Sequence, residues 1–188
     1  MTLTDAPDRP HIQDDGMTGD WLRGDQVDGR TLRDTAGAFP SGVTVITALG
    51  PDGSKVGMTV SSFTSVSIEP PLILVCVDKR ARSLPAFRVG TPMGVNVLAN
   101  DQSQVAFRFA GRSEDRFADV PHSAGPNGIP LIDGVAAWLS THIHRIYDGG
   151  DHLILLARVN EVHRSGNKPL LYHSGQMHDW ALAAAEGH

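Results

Sequence analysis

One stretch of the chain, residues 57–65, places hydroxyl side chains along a segment with the composition of a β-strand and its turn. A hydroxyl group both donates and accepts hydrogen bonds, so such a wall suits the polar edge of a flat heteroaromatic ligand. The same composition also has a plain structural explanation, because Thr favours strands and Ser favours turns. The hydroxyl residues are Thr59, Ser61, Ser62, Thr64 and Ser65.

Three cations directly follow a continuous apolar run, and they predict an anion site. Lys79, Arg80 and Arg82 lie between Asp78 and Ser83, and Ser83 can cap a short helix that extends to residue 87. Free N–H groups and the helix dipole attract anions at a helix start, which indicates a place for a ligand phosphate. An exposed charged loop is the alternative interpretation.

Two histidine patterns could carry chemistry. His152 follows two glycines and an aspartate at the start of a strand, where its side chain can lean into the mouth of a barrel; a solvated turn histidine is the alternative. His142 and His144 share one face of a strand, which is a spacing that metal ligands use. No third ligand follows at close spacing, so no metal site is predicted.

Composition limits the classes of protein. The chain has 188 residues, of which 40% are hydrophobic, enough for one domain with a buried core. A net charge of -5 without a basic block argues against nucleic acid and against anionic membranes. Cys76, the only cysteine, lies in an apolar run, and no run approaches the ~20 residues of a membrane helix. We therefore expect a cytoplasmic protein with a small-molecule partner.

The pattern of elements predicts a mostly β fold. Residues 1–30 are acidic and poor in apolar side chains, so we expect a flexible tail there, and residues 176–188 are assigned to a second tail. The domain between them, residues 31–175, shows many strands without regular βαβ alternation, which favours an antiparallel barrel with short covering helices. The predicted helices cover residues 31–39, 83–87 and a segment started by a capping box at Asp101 and Gln104; the strands cover residues 43–49, 55–63, 72–77, 93–98, 135–147, 151–162 and 170–173.

Several short motifs, in this order and spacing, resemble the short-chain flavin reductase family, the split-barrel reductase components of two-component flavin monooxygenases. The resemblance covers residues 31–175. Its motifs are FPSGVTVIT at residues 39–47, GMTVSSFTSVS at 57–67, PPL at 70–72, NVL at 96–98, RF at 116–117, GDH at 150–152 and PLLY at 169–172. The chain lacks the G-x-G-x-x-G, P-loop and G-x-S-x-G motifs, which removes two common modes of nucleotide binding and one class of hydrolase.

The resemblance implies a fold, ligands and residue roles. It implies an FMN-binding split barrel, a Greek-key antiparallel β-barrel, in a homodimer with FMN or FAD near the subunit interface and NADH or NADPH as the hydride donor. It places the isoalloxazine and ribityl against Ser41, Thr59, Val60, Ser61, Ser62 and Phe63. It places the ribityl and phosphate end of the flavin against Asp78, Lys79, Arg80, Ser83, Asn96, Val97 and Leu98. His152 approaches the nicotinamide, Arg116 and Phe117 lie near either ligand, and Tyr172 closes the pocket.

The implied activity is hydride transfer from nicotinamide to flavin, which supplies reduced flavin to an oxygenase partner. Two features depart from the family pattern: the acidic N-terminal extension and the pair formed by His142 and His144. Two other classes stay open. One is a non-catalytic split barrel that binds flavin or haem, and the other is a metal-dependent enzyme that uses the histidine pair.

Overall fold

The computed structural model describes residues 27–113 and 115–179. Its first element, helix α1 (Gly29–Gly37), begins two residues inside the segment predicted as a tail. The Asp28 side chain accepts hydrogen bonds from the backbone N–H groups of Arg30 and Thr31, at 2.9 and 2.7 Å, and so caps the helix start. The other residues of the predicted N-terminal tail lie outside the described residues.

Twelve strands and a second helix follow within the described residues. The strands are β1 (Ser41–Gly42), β2 (Thr44–Leu49), β3 (Lys55–Val60), β4 (Thr64–Ser67), β5 (Leu72–Asp78), β6 (Pro92–Val97), β7 (His122–Ala124), β8 (Pro130–Ile132), β9 (Ala137–Gly149), β10 (His152–Arg164), β11 (Leu170–His173) and β12 (Gln176–Asp179). Helix α2 (Ser103–Ala110) lies between β6 and β7. The expected mostly β architecture is confirmed.

Seven strands form one antiparallel sheet in the order β3-β2-β6-β9-β10-β5-β4. One apolar cluster fills its interior and includes Ile46, Val75, Met93, Ile143 and Leu155, all at most 1% exposed. Alternation along β5 buries every second residue, although this strand is apolar from residue 72 to residue 77. β5 therefore turns one face into the barrel core, whereas β2 is buried on both faces.

The two edge strands of this sheet, β3 and β4, follow each other in the chain but do not pair. Ser62, in the connection between them, bonds β5 instead: its Oγ accepts a hydrogen bond from the Cys76 backbone N–H at 2.8 Å and donates to the Cys76 carbonyl at 3.2 Å. This side chain takes the place of one ladder residue beside β5. The barrel therefore stays split on one side.

Helix α2 packs on β3 because one residue of that strand has no side chain. A Cβ atom on Gly57 would lie 2.7 Å from the Phe109 ring, so only glycine permits this approach. Thr59 strengthens the contact by donating a hydrogen bond to the Ala106 carbonyl at 2.6 Å. The predicted capping box is wrong, because the helix is preceded by Gln102, whose side chain bonds Ala99 and Asp133 instead.

A second, smaller sheet, β1-β11-β12, extends the fold past the predicted domain end at residue 175. Tyr172 pairs with Ser41 on one side and with Met177 on the other. A second apolar cluster includes Leu98, Phe109, Phe117 and Leu170, and Tyr172 packs against it. In the described parts of the chain, no helix has both the length and the apolar character needed to span a bilayer.

Asn96 links three elements of the barrel and is fully buried. Its Nδ2 donates to the Val45 carbonyl at 3.0 Å and lies 3.3 Å from Thr47 Oγ1, while its Oδ1 accepts from the Ile132 N–H at 2.9 Å. Removal of the amide would take one hydrogen bond each from Val45, Thr47 and Ile132, while Thr47 would keep its bond to the Pro130 carbonyl.

We therefore expect Asn96→Ala to lower the free energy of unfolding by about 2 to 4 kcal/mol, because truncation leaves buried polar groups unsatisfied and opens a cavity. Urea unfolding followed by circular dichroism measures this change. Gln104→Ala, at an exposed position on α2, is the matched control and should stay within about 0.5 kcal/mol of the unmodified protein. A stable Asn96→Ala protein with weakened flavin affinity would contradict the structural role.

Candidate functional site

A groove runs along the open side of β3 and consists of three adjoining cavities of about 230, 730 and 190 Å³. The first and second share Met58, Thr59 and Asp78, and the second and third share Arg82, Ser83 and Arg116. The central volume falls within the range of about 300 to 1,000 Å³ that is typical of small-molecule sites. We call this feature the β3 groove.

The first end of the groove carries the hydroxyl-rich segment. Its wall is formed by Met58, Thr59, Val60, Ser61, Ser62, Cys76, Asp78 and His152. Ser61 is exposed, whereas the Ser62 and Thr59 hydroxyls are engaged by Cys76 and Ala106. Val60 is 8% exposed and Phe63 packs against the barrel core. The structure thus brings four of the five predicted residues of this segment, Thr59, Val60, Ser61 and Ser62, to one wall.

His152 reaches this wall from β10, where it pairs across the strands with Asp78. Gly150, at φ 83°, makes the preceding turn in a conformation that glycine adopts freely. The His152 Nδ1 lies 2.7 Å from Asp151 Oδ1, and this hydrogen bond lowers the pKa of the Asp151 carboxyl. The carboxylate fixes the ring by one nitrogen and leaves Nε2 for a ligand.

The predicted cation cluster is divided by ion pairs. Arg80 donates from its side chain to both carboxylate oxygens of Asp78, and this contact holds the pKa of Asp78 far below its usual range. Lys79 Nζ lies 2.5 Å from Asp148 Oδ2, and Lys79 is absent from the wall of the β3 groove. The phosphate role of Lys79 stays a prediction; in the structure its charge is paired at the β9–β10 turn.

A different set of cations lines the middle and far end of the groove. Arg82, Arg112 and Arg116 border the central cavity together with Arg80. Arg82 donates to the Arg112 carbonyl at 2.7 Å, and Arg116 donates to the carbonyls of Gly57 and Gly111, each at 2.7 Å. Burial, and then repulsion from Arg82, lowers the pKa of the Arg116 guanidinium. Arg112 was missed by sequence reasoning, although it follows the glycine that ends α2.

Besides Lys79 and Phe63, six predicted cofactor residues lie away from the β3 groove. Asn96 and Leu98 are fully buried, so neither side chain has a surface that could contact a flavin, and the prediction of a side-chain contact is corrected for these two residues. Phe117 is 8% exposed. Ser83 does border the groove, but its side chain makes no cap hydrogen bond, and the turn that it precedes, Leu84–Ala86, is a short 3-10 helix. The other residues outside the groove wall are Ser41, Val97 and Tyr172.

The histidine pair does not form a metal site. A register shift in β9 lets His142 pair with Arg158 and Ile143 with Ala157, and it leaves His144 without a partner in the ladder. His142 bonds Asn160 through its Nδ1. Across the part of the chain that the structure describes, no group of three or more His, Cys, Asp or Glu side chains could hold a metal ion.

Comparisons with known proteins agree with this geometry. Residues 36–181 match the family described as flavin reductase like domain. The reductase subunit Stc3 of stachydrine N-demethylase from Rhizobium meliloti is 44% identical over 154 residues, which are 82% of this chain and 67% of that protein. A flavin reductase from Pseudomonas putida is 38% identical, over 79% of this chain and 88% of that protein. A second Rhizobium meliloti relative, 43% identical, is matched over 48% of its length, so this chain spans about half of that protein.

A solved structure supports the same assignment. The NADH:FAD oxidoreductase SgcE6 of Streptomyces globisporus, in complex with NAD and FAD fragments, superposes with a TM-score of 0.76 at 39% identity, and the match covers 85% of this chain and 96% of that chain. The split barrel, its open side and the family match therefore lead to one conclusion: this chain belongs to the flavin reductase-like domain family.

Proposed function

We propose that this protein is an NAD(P)H-dependent flavin reductase that reduces FMN or FAD and passes the reduced flavin to an oxygenase partner. The observation that carries the proposal is the β3 groove, which joins a hydroxyl-rich wall beside His152 to a cluster of arginines. A flavin nucleotide has the same two parts, a polar flat ring and an anionic phosphate. Relatives of this chain include reductase components of flavin-dependent monooxygenases, which favours this function over a non-catalytic flavin or haem-binding barrel.

The residues present fit a flavin. Ser61 is exposed at the wall and can donate to a ring carbonyl oxygen, and Met58 offers a polarizable side chain for contact with a flat ring. Arg82 and Arg112 can hold the phosphate, since guanidinium groups bind phosphate oxygens through paired N–H donors. The ring would therefore lie toward Ser61 and the phosphate toward the arginines.

When bound together, the two cofactors supply the chemistry, which is hydride transfer from nicotinamide C4 to flavin N5. The protein contributes alignment. His152, held by Asp151, can donate or accept one hydrogen bond at Nε2 and thereby position the nicotinamide carboxamide. The Ser62 bridge to Cys76 keeps the wall in place while ligands enter and leave the open side.

We further propose a homodimer, because helix α1 buries none of its residues in the monomer. Leu32 on this helix and Phe39 just after it are 60% and 79% exposed, and Val66 and Ile68 are exposed near the open side of the barrel. Large apolar side chains that remain in water are typical of a surface that another chain covers.

We place the reaction in the cytoplasm, because the lone Cys76 is a free thiol and reducing compartments keep thiols free.

We expect the purified protein to oxidise NADH or NADPH only when flavin is present. The measurement is the steady-state loss of nicotinamide absorbance with FMN, FAD and riboflavin added in turn. Stoichiometric haem or tightly bound flavin without turnover would instead favour the non-catalytic barrel.

The arginine cluster should distinguish flavins by charge. In the double variant Arg82→Gln with Arg112→Gln, FMN affinity should fall at least about tenfold, because each lost charge-assisted hydrogen bond is worth roughly 1.5 to 3 kcal/mol. Riboflavin, which has no phosphate, should bind within about twofold of the unmodified protein. Equilibrium dialysis with both flavins measures the difference.

Lys79→Gln is the matched control, because it removes a cation of the same sequence cluster that pairs with Asp148 outside the groove. Its FMN affinity should not change. Equal losses for FMN and riboflavin in the double variant would remove the arginines from the phosphate site.

His152→Ala should act on the nicotinamide side of the reaction. Loss of one positioning hydrogen bond of about 1 to 2 kcal/mol corresponds to a five- to thirtyfold fall in kcat/KM for NADH, with a raised KM and a moderately lower kcat. Flavin affinity should barely move. Stopped-flow reduction beside flavin titration separates the two effects.

His144→Ala, in the exposed bulge of the neighbouring strand, is the control for removal of an imidazole. Reduction kinetics in His152→Ala that match this control would exclude His152 from the nicotinamide site.

A further inference from the structure

The β3 groove does not end at the arginines. Lys55, Gly57 and Thr59 alternate onto one face of β3, so Lys55 lies about 13 Å along the strand from Thr59, at roughly 3.3 Å per residue. Lys55 borders the third cavity together with Arg82 and Arg116. It also borders a fourth cavity of about 540 Å³, which is lined by Gly53, Ser54, Asp115, Phe117, Ala118 and His122.

Lys55 is held in place by a contact with His122. Its Nζ lies 2.8 Å from His122 Nε2, and His122 Nδ1 lies 2.7 Å from the Val120 carbonyl. A lysine ammonium only donates and a carbonyl only accepts, so Nε2 must accept and Nδ1 must carry the proton. An ammonium group has three N–H donors, so two remain for an anion when Lys55 donates one to His122.

The Ser83 hydroxyl lies between the central and third cavities and has only a weak partner. The residue is 8% exposed, and its Oγ contacts the Met58 thioether at 3.5 Å. A thioether is a poor acceptor, so this nearly buried hydroxyl retains most of its capacity to donate. Its position favours a ligand that passes over Ser83 from one cavity to the next.

The cations at this end make no ion pair among the described residues, although the Asp115 carboxylate lines the same cavity as Lys55. Among the described residues, which leave out Glu114, no carboxylate lies within ion-pair distance of Lys55, Arg82 or Arg116. Arg116 is partly buried, and Arg82 repels it. An anion that lies between these cations would reduce the repulsion.

The fourth cavity has features that suit a purine. The His122 ring lies 5.0 Å from the Phe117 ring and contributes an aromatic wall. Asp115 Oδ1 accepts from the N–H groups of Phe117 and Ala118, which fixes its carboxylate beside that wall. A carboxylate can accept a hydrogen bond from the exocyclic amine of adenine.

We propose that Lys55, Ser83 and the His122 cavity form a second subsite, which takes the adenylate half of FAD, so that the protein binds FAD in preference to FMN. The proposal rests on the proposed function, because the flavin half must occupy the Ser61 end of the β3 groove. The second phosphate then lies between Arg82, Arg116 and Lys55, and the adenine lies beside His122. NADH and NADPH also contain adenylate, so the test must separate the two sources.

The experiment compares Lys55→Gln with the unmodified protein by equilibrium dialysis against FAD and FMN. The unmodified protein should bind FAD more tightly than FMN. In Lys55→Gln, FAD affinity should fall at least about tenfold because one charge-assisted contact is lost, while FMN affinity stays within about twofold. Lys55→Arg should restore FAD binding, and Lys79→Gln should leave both flavins unchanged.

A second arm measures the KM for NADH and NADPH with saturating FMN as the flavin, and Lys55→Gln should leave both unchanged. Raised KM values there, with FAD affinity intact, would assign the subsite to the nicotinamide nucleotide and overturn the proposal. Equal losses of FAD and FMN, or an effect in Lys79→Gln, would also overturn it. Failure of the unmodified protein to bind either flavin would instead refute the proposed function, and this inference with it.

Discussion

The hydrogen bonds between Ser62 and the backbone of Cys76 are the contact on which the site depends. In a sheet whose first and last strands are consecutive in the chain, a full ladder between β3 and β4 would close the barrel and leave no space for a ligand. One side chain instead satisfies the N–H and C=O of a single residue, which meets the hydrogen-bonding requirement of the β5 edge at one point. The sheet curls enough to bury its core and remains open along β3.

The opening along β3 forms a groove because the end of helix α2 lies close to this strand and provides a second wall. Gly57 lets the Phe109 ring approach β3 within van der Waals contact, which brings the end of α2 beside the strand. Arg116 then donates to the carbonyls of both Gly57 and Gly111, so it fastens the helix end to the strand while its charge stays at the groove. Arg116 therefore both links the two walls and supplies positive charge to the groove between them.

The sequence predicted most of the β framework, since alternation and turn residues are local signals; β11, at Leu170–His173, has the predicted bounds. The site was predicted less completely because side-chain partners are not local. Lys79 was a reasonable phosphate ligand by position, but its partner Asp148 is 69 residues away. Asn96 lies in a family motif, and only the fold shows that its amide bonds the backbone of β2 and β8. Arg112 belongs to none of the sequence motifs that carry the resemblance.

The charges of the groove also orient what enters it. Near His152, hydrogen bonds from Arg80 and His152 keep the pKa values of Asp78 and Asp151 low, so both carboxylates stay ionised at neutral pH. At the other end stand Arg82, Arg112, Arg116 and Lys55. The rest of a chain with net charge -5 repels nucleotide phosphates, and these cations attract them within the ~10 Å over which charges act at 0.1 M salt. A ligand with a neutral ring and an anionic tail is therefore favoured in one direction only. In the proposed binding mode the phosphate lies toward the arginines, which outnumber the carboxylate that Asp78 contributes to the groove wall, and the ring lies toward His152.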